Sequence, residues 1–319
     1  MAKRRMAITT FLICLCFCLA PSYALATSTT IAYEKINVNQ DCILTLTYTC
    51  DGTAFEDVSV RLYKIADVST DFQYTSTSSF APLGLILNGV QTNGEWNTIR
   101  STLEANIIAD NIEPDSIAKT DSNGRVCFEF LKPGLYLATV GTVTQGELGC
   151  LFDSALVALP GLDADGRWHY QVSVAAKSKI TPPGDKEIEL NILKLWKGDE
   201  GRNGRPKNVE VEIFCGETSY KKVVLSQENN WSYSWSAKDD GAIWTVVERN
   251  IPQGYKATVE KRDTSFVLTN TYNSDVPFDT PDTGDTSNLM LYVILMIVSG
   301  SLLIILGIAG KRNKHEESR

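Results

Sequence analysis

From Glu187 to Tyr272 the apolar residues fall at every second position, in short runs cut by turn residues, and this period constrains the chain more than any other feature. The runs include Ile192-Leu193-Lys194-Leu195-Trp196, Val209-Glu210-Val211-Glu212-Ile213, Trp244-Thr245-Val246-Val247-Glu248 and Leu268-Thr269-Asn270-Thr271-Tyr272. A period of two places alternate side chains on opposite faces of a strand, so segments of this kind bury one face each and pair into a β-sandwich. The same period appears upstream, where Leu44, Leu46 and Tyr48 alternate with Thr45, Thr47 and Thr49, and Val58, Val60 and Leu62 with Ser59, Arg61 and Tyr63. Asp51-Gly52 supplies the turn between them. Between about Asp71 and Asp115 the alternation stops, and Trp96, Ile99, Leu103 and Ile107 recur at helical spacing before Pro114. One amphipathic helix packed on the sheets is expected there. The expected fold class is therefore all-β: two tandem Ig-like sandwiches, the first carrying a helical insertion.

Both ends of the sequence differ from this pattern. Lys3-Arg4-Arg5, an apolar stretch from Met6 to Ala20 and the small-residue site Ala24-Leu25-Ala26 read as a secretory signal peptide over residues 1–26. Leu289 to Gly310 is uncharged and long enough to cross a bilayer as one helix, and the basic tail at 311–319 favours the cytoplasmic side. The remainder divides into a first domain at 32–176, a linker from Ser178 to Lys186 containing Pro182-Pro183-Gly184, a second domain at 187–273 and a spacer at 274–288. The net charge of -8 offers no basic stripe for phosphate, which argues against nucleic acid as a partner. Of the eight cysteines, five lie beyond the signal: Cys42, Cys50, Cys127, Cys150 and Cys215. Their spacing fits no metal site, and at most two bridges are open to them, with the pairing unassigned.

The phrase from Thr120-Asp121-Ser122-Asn123-Gly124 through Phe128, Leu131, Pro133-Gly134, Tyr136 and Leu137 resembles the signature of SpaA-type, prealbumin-like pilin domains. The order of segments in the second domain resembles the Cna B-type repeat. Thr280-Pro281-Asp282-Thr283-Gly284, followed by the apolar span and basic tail, resembles the LPxTG-type sorting signal of Gram-positive surface proteins. Pro281, Thr283 and Gly284 match that motif, while Thr280 stands where Leu is usual. The resemblance implies a sortase that cuts Thr283-Gly284 and joins Thr283 to peptidoglycan or to another pilin subunit. Membrane contact would then be confined to the C-terminal helix before sorting.

Cna B-type domains often join a lysine of the first strand to an asparagine of the last, assisted by a carboxylic acid on a middle strand. The matching positions are Lys194, Asn270 and Glu248. Burial between sheets would supply the neutral amine such a reaction requires and would favour a protonated Glu248 able to donate to the Asn270 carbonyl. The first domain lacks the set: Ile43 to Thr49 contains no lysine and Gln171 to Ala176 no asparagine. Lys177, after Ala175-Ala176, occupies the place where shaft pilins carry a YPK-type acceptor, but without its Tyr-Pro. This favours a minor, basal or stand-alone subunit over a shaft.

No cofactor, metal site or enzymatic motif is expected, apart from self-catalysed cross-linking. His169 sits between Trp168 and Tyr170 and reads as packing or rim. Asp121-Ser122-Asn123-Gly124 and Asp163-Ala164-Asp165-Gly166 read as turns rather than calcium loops. Trp231 and Trp235, an even number apart, are expected to share a face turned to the core. The leading function class is a wall-anchored structural protein, a minor or basal pilin or a stalk. The alternative is a stand-alone adhesin that binds a host or neighbour-cell ligand through its first domain.

Overall fold

The structure, a computed structural model, describes residues 34–182, 184, 186–199 and 205–272. The signal peptide, the spacer, the sorting pentapeptide Thr280 to Gly284, the apolar span and the basic tail lie outside the described residues. Among the described residues no helix is long and apolar enough to cross a membrane.

Strands are numbered in chain order, two-residue pairs aside. The N-terminal part contains β1 (Cys42–Thr47), β2 (Ser59–Val68), β3 (Tyr74–Ser76), α1 (Asn93–Ala109), β4 (Ser116–Lys119), β5 (Arg125–Leu131) and β6 (Gly134–Thr139). It continues with β7 (Gly141–Gln145), β8 (Leu148–Phe152), β9 (Ala155–Leu159), β10 (Gln171–Ala175) and β11 (Ser178–Ile180). One sheet runs β10-β1-β5, a second β9-β6-β2-β3 with β4 also paired to β2, and a third β11-β8-β7. The segment read from sequence as linker thus begins as a strand, since β11 pairs with β8.

Alternation explains the layers. Leu44, Leu46, Val60, Leu62 and Phe128 meet in one core between the sheets. Tyr63, Ile65, Leu135 and Leu137 point to the opposite face of the β9-β6-β2-β3 sheet, where Ile99, Leu103 and Ile107 of α1 cover them. A register shift between Lys64 and Ala66 lies within β2 as it passes between these clusters. The helix starts with a capping box, in which the Thr92 hydroxyl accepts from the Glu95 N–H and the Glu95 side chain accepts from the Thr92 N–H.

The C-terminal sandwich comprises β12 (Glu187–Lys197), β13 (Asn208–Cys215), β14 (Thr218–Ser226), β15 (Ser232–Lys238), β16 (Trp244–Arg249), β17 (Tyr255–Arg262) and β18 (Ser265–Tyr272). Sheet β15-β12-β18-β17 packs on sheet β14-β13-β16. Leu190, Ile192, Phe266 and Leu268 from the first sheet meet Val211, Ile213, Leu225 and Val246 from the second. The first and last strands, β12 and β18, run parallel and side by side. In the N-terminal part β1 and β10 repeat this relationship.

Helix α1 does not stop at its own sheets, as the sequence suggested. It also lies against β16 and β17, the strands at one edge of each C-terminal sheet. Ser101, Thr102 and Ala105, between the positions of the apolar stripe, are all buried, and Ala105 joins the C-terminal core. Thr102 Oγ1 accepts from the Val259 N–H at 2.9 Å, while its own proton goes to the Thr98 carbonyl at 2.7 Å, with the Val259 carbonyl farther off at 3.3 Å. Arg249 donates to Glu212 Oε2, Asp110 Oδ1 and the Ala109 carbonyl, so the C-terminal sandwich supplies the cation at the end of α1.

Five cysteines fall within the described residues. Cys50 and Cys150 form a disulfide that closes a sequence separation of 100. Cys42, Cys127 and Cys215 are free thiols.

Candidate functional site

Strand β12 turns the usual sorting of residue types around at its C-terminal end. The alternation that buries Leu190 and Ile192 also buries Lys194 at 3 % exposure, while Leu193 and Leu195 lie open at 41 % and 39 %. Burying an ammonium while exposing two leucines opposes the hydrophobic effect, so the inward lysine calls for a partner. On β18 the same alternation puts Asn270 inward behind Phe266 and Leu268. Lys194 is opposite Leu268 in the parallel register, which places Asn270 as its diagonal neighbour on the same face. Glu248 comes from the facing sheet, inward along β16 after Trp244 and Val246.

The three groups converge. Lys194 Nζ lies 3.2 Å from Glu248 Oε2, with both side chains fully shielded from solvent. The Asn270 amide nitrogen donates to Glu248 Oε1 at 2.7 Å. One carboxyl group therefore touches both nitrogens. Lys194 Nζ also donates to the Leu195 carbonyl at 3.2 Å and stands 4.5 Å from the centre of the Trp196 ring. Burial pushes the Lys194 amine down from 10.5 to about 8, against the opposing pull of the Glu248 and Asp199 carboxylates.

The amide orientation differs from the sequence expectation. Glu248 was expected to donate to the Asn270 carbonyl, whereas the amide nitrogen faces Glu248 and Asn270 Oδ1 has no hydrogen-bond partner. Glu248 Oε2 likewise lacks an aligned hydrogen bond. Half a turn about the Cβ–Cγ bond exchanges the amide oxygen and nitrogen, and would set Oδ1 against the carboxyl.

Beside this triad lies a group that sequence reasoning missed. Asp199 follows β12, and its fully buried carboxylate accepts from Arg205 Nε and Nη2 at 2.5 and 2.6 Å. Tyr255 Oη donates to the same carboxylate at 2.9 Å. The rings of Trp231 and Tyr255 meet Trp196 edge-on, and the Arg205 guanidinium sits 5.8 Å from the Trp196 ring centre. Trp196 and Trp231 had drawn attention in the sequence, but Asp199 and Arg205 had not, because they fall outside any alternating run.

Other singled-out residues have structural roles. Asp121 Oδ1 accepts from the N–H groups of Asn123 and Arg125, and Asp163 Oδ1 from those of Asp165 and Arg167, so both acidic loops are turns closed on themselves. His169 is exposed and contacts Asp163 at 2.6 Å. Trp235 is in the core as expected, while Trp231 precedes β15 at φ +56 and packs against that core from its rim. Lys177 is exposed between β10 and β11, and its carbonyl accepts from the Asp153 N–H. In the N-terminal part the equivalent inward positions are Cys42, Leu44 and Leu46 on β1, with Val172 and Val174 packed alongside from β10, leaving no amine and amide to join.

Comparison with known proteins locates the triad in a described domain. Residues 190–271 match the sequence model of the Cna protein B-type domain. A collagen adhesin of Staphylococcus aureus is 28% identical over 106 residues, which are 31% of this chain and 9% of the adhesin, so the match spans a small part of that protein. Among solved structures, two B repeat units of the collagen binding protein of S. aureus align at 16% identity and TM-score 0.26, covering 73% of this chain and 49% of theirs. The major pilin SpaD of Corynebacterium diphtheriae aligns at 15% identity and TM-score 0.30, covering 75% and 66%. Scores this low leave the fold to the strand order and the chemistry to the side chains. The C-terminal sandwich, with Lys194, Glu248 and Asn270 inside it, is similar to Cna B-type domains.

Proposed function

We propose that the protein is a cell-wall-anchored structural protein of a Gram-positive surface, a minor or basal pilin or a stalk, whose C-terminal sandwich staples itself by a Lys194–Asn270 amide. The observation that carries this reading is the contact of one buried carboxyl with both nitrogens. Neutral Lys194 Nζ attacks Asn270 Cγ, a new N–C bond forms, the Cγ–Nδ2 bond breaks and ammonia leaves. Glu248 takes the proton shed by the attacking nitrogen and returns one to the departing nitrogen, so its own state is restored. The fold holds the reactants together, replacing a bimolecular encounter by an intramolecular one. No enzyme partner or cofactor is required for this step.

The anchoring half of the proposal rests on the sequence outside the described residues. Thr280 to Gly284, the apolar span and the basic tail support transfer by a sortase at Thr283, onto peptidoglycan or a neighbouring subunit. Separate sandwich domains at 32–176 and 187–273 belong to the same reading. The similarity to a collagen adhesin keeps an adhesive role for the N-terminal part as the second reading.

Two measurements test the proposal. Intact mass of the folded chain is expected to fall short of the sequence by one ammonia, and an unshortened mass refutes the cross-link. Muralytic digestion of cells is expected to release the protein; recovery only in the detergent-soluble membrane fraction refutes wall attachment.

A further inference from the structure

Among the described residues the Lys194 amine meets three groups, of which only Glu248 can take a proton. The amine donates to the Leu195 carbonyl at 3.2 Å, lies 3.2 Å from Glu248 Oε2 and stands over the Trp196 ring, 4.5 Å from its centre. Burial eases loss of the proton but leaves open the direction in which the lone pair points. A carbonyl oxygen and an aromatic face are both electron-rich. Each attracts an N–H and repels a lone pair, so together they turn the free pair away from themselves, toward the Glu248 carboxyl and the Asn270 amide bonded to it. The carbonyl belongs to the backbone and would be present with any residue at 195, whereas the ring face depends on Trp196. Trp196 falls in phase with Ile192 and Lys194 on β12 and is directly opposite Asn270 in the parallel register, so it flanks both reactants. Its indole N–H is buried without a hydrogen-bond partner, as are those of Trp235 and Trp244, and ring contacts therefore set its orientation. Trp231 and Tyr255 supply them, meeting Trp196 edge-on at 79° and 77° with centres 5.3 and 5.2 Å away.

We propose that Trp196 is a positioning residue for the cross-link: its ring face holds the Lys194 amine so that the lone pair is presented on the side of Glu248 and Asn270. The assignment rests on the cross-linking reading above. Trp196 takes no proton and forms no bond, so the bonds made and broken are unchanged. Its effect is on direction, and this has a different signature from an effect on charge. A ring face favours an ammonium, so on charge grounds alone its removal would free the lone pair at lower pH and hasten the reaction on the acid side. Loss of direction slows the reaction at every pH.

The test is a rate measured across pH. The full-length chain, isolated unfolded and un-crosslinked in denaturant, is diluted into detergent-containing buffers from pH 6 to 10 and followed by intact mass. Trp196→Leu keeps apolar bulk but removes the ring, and is expected to slow ammonia loss about a hundredfold at every pH, including pH 10, where the amine is already neutral. Trp196→Phe keeps a ring face without the indole N–H, and is expected to bring the rate back to within about tenfold of the original. Leu190→Ala opens the same core four positions before Lys194 without touching the amine, and is expected to leave the rate within about twofold, which separates direction from lost stability. A second readout does not depend on these variants. In Asn270→Ala, which cannot react, the ring current of Trp196 is expected to move the NMR signals of the Lys194 ε-methylene protons upfield. A Trp196→Leu profile that only shifts along the pH axis, a Trp196→Phe rate as low as that of Trp196→Leu, a Leu190→Ala rate equally low, or unshifted ε-methylene signals overturns the assignment while leaving the cross-link intact. An original chain that loses no ammonia overturns both.

Discussion

Thr102 of helix α1 accepts a hydrogen bond from the backbone N–H of Val259, an edge-strand residue in the other half of the molecule. Edge strands expose unpaired N–H and C=O groups that invite pairing with another chain, and covering one with a helix removes that template. Thr102→Val keeps the shape and deletes the hydroxyl, leaving a buried N–H without a partner. A loss of about 1–3 kcal/mol in chemical denaturation is expected, with faster hydrogen exchange at Val259. Unchanged exchange at that amide would show that the contact is dispensable.

Lys194 and Glu248 compensate each other before the amide forms. Replacing one partner strands a buried group, and Lys194→Met is expected to abolish ammonia loss and cost about 3 kcal/mol. Glu248→Ala is also expected to keep the full mass. A cross-linked Glu248→Ala product, detected by mass, would remove the proton-transfer role assigned to this carboxyl.

The un-crosslinked sandwich has a pH dependence of definite sign. In Asn270→Ala the Lys194 amine titrates near 8 when folded, against 10.5 for an ordinary lysine. The unfolded chain then binds more protons, so stability rises with pH between these values. The penalty is fully present below the folded value and is relieved as pH increases toward the unfolded one. Melting of Asn270→Ala followed from pH 7 to 10.5 checks this, and a flat or falling trend attributable to Lys194 contradicts it.

Cys50 and Cys150 tie the N-terminal part across a separation of 100 residues. Chain-entropy arguments assign a closed loop of that size about 4–5 kcal/mol. Reduction, or replacement of both residues by serine, is expected to lower the melting temperature of the N-terminal part while leaving the ammonia loss of the C-terminal sandwich unchanged. Loss of both together would show that the two halves fold as a single unit.

The alternating strands were legible because half-buried sheets write a period of two into the sequence. The triad was legible for a related reason, since Lys194 and Asn270 fall in phase with Ile192 and Leu268. Three features were not. The second buried face of α1 is made of Ser101, Thr102 and Ala105, small or hydroxyl residues with no apolar periodicity. The Asp199–Arg205 pair joins two residues outside any strand, which no strand pattern encodes. The Cys50–Cys150 pairing depends on which loops end side by side, and five cysteines leave that choice open.

The parallel pairing of β12 with β18 governs how load would travel through the C-terminal sandwich. Tension applied at Glu187 and drawn off at Tyr272 acts along two adjacent strands in shear. Once Lys194 and Asn270 are joined, the covalent path runs directly from one strand to the other. Everything between them, including the helix-covered edge at Val259, is relieved of strain, and the sandwich becomes an inextensible link whose folding no longer decides its length.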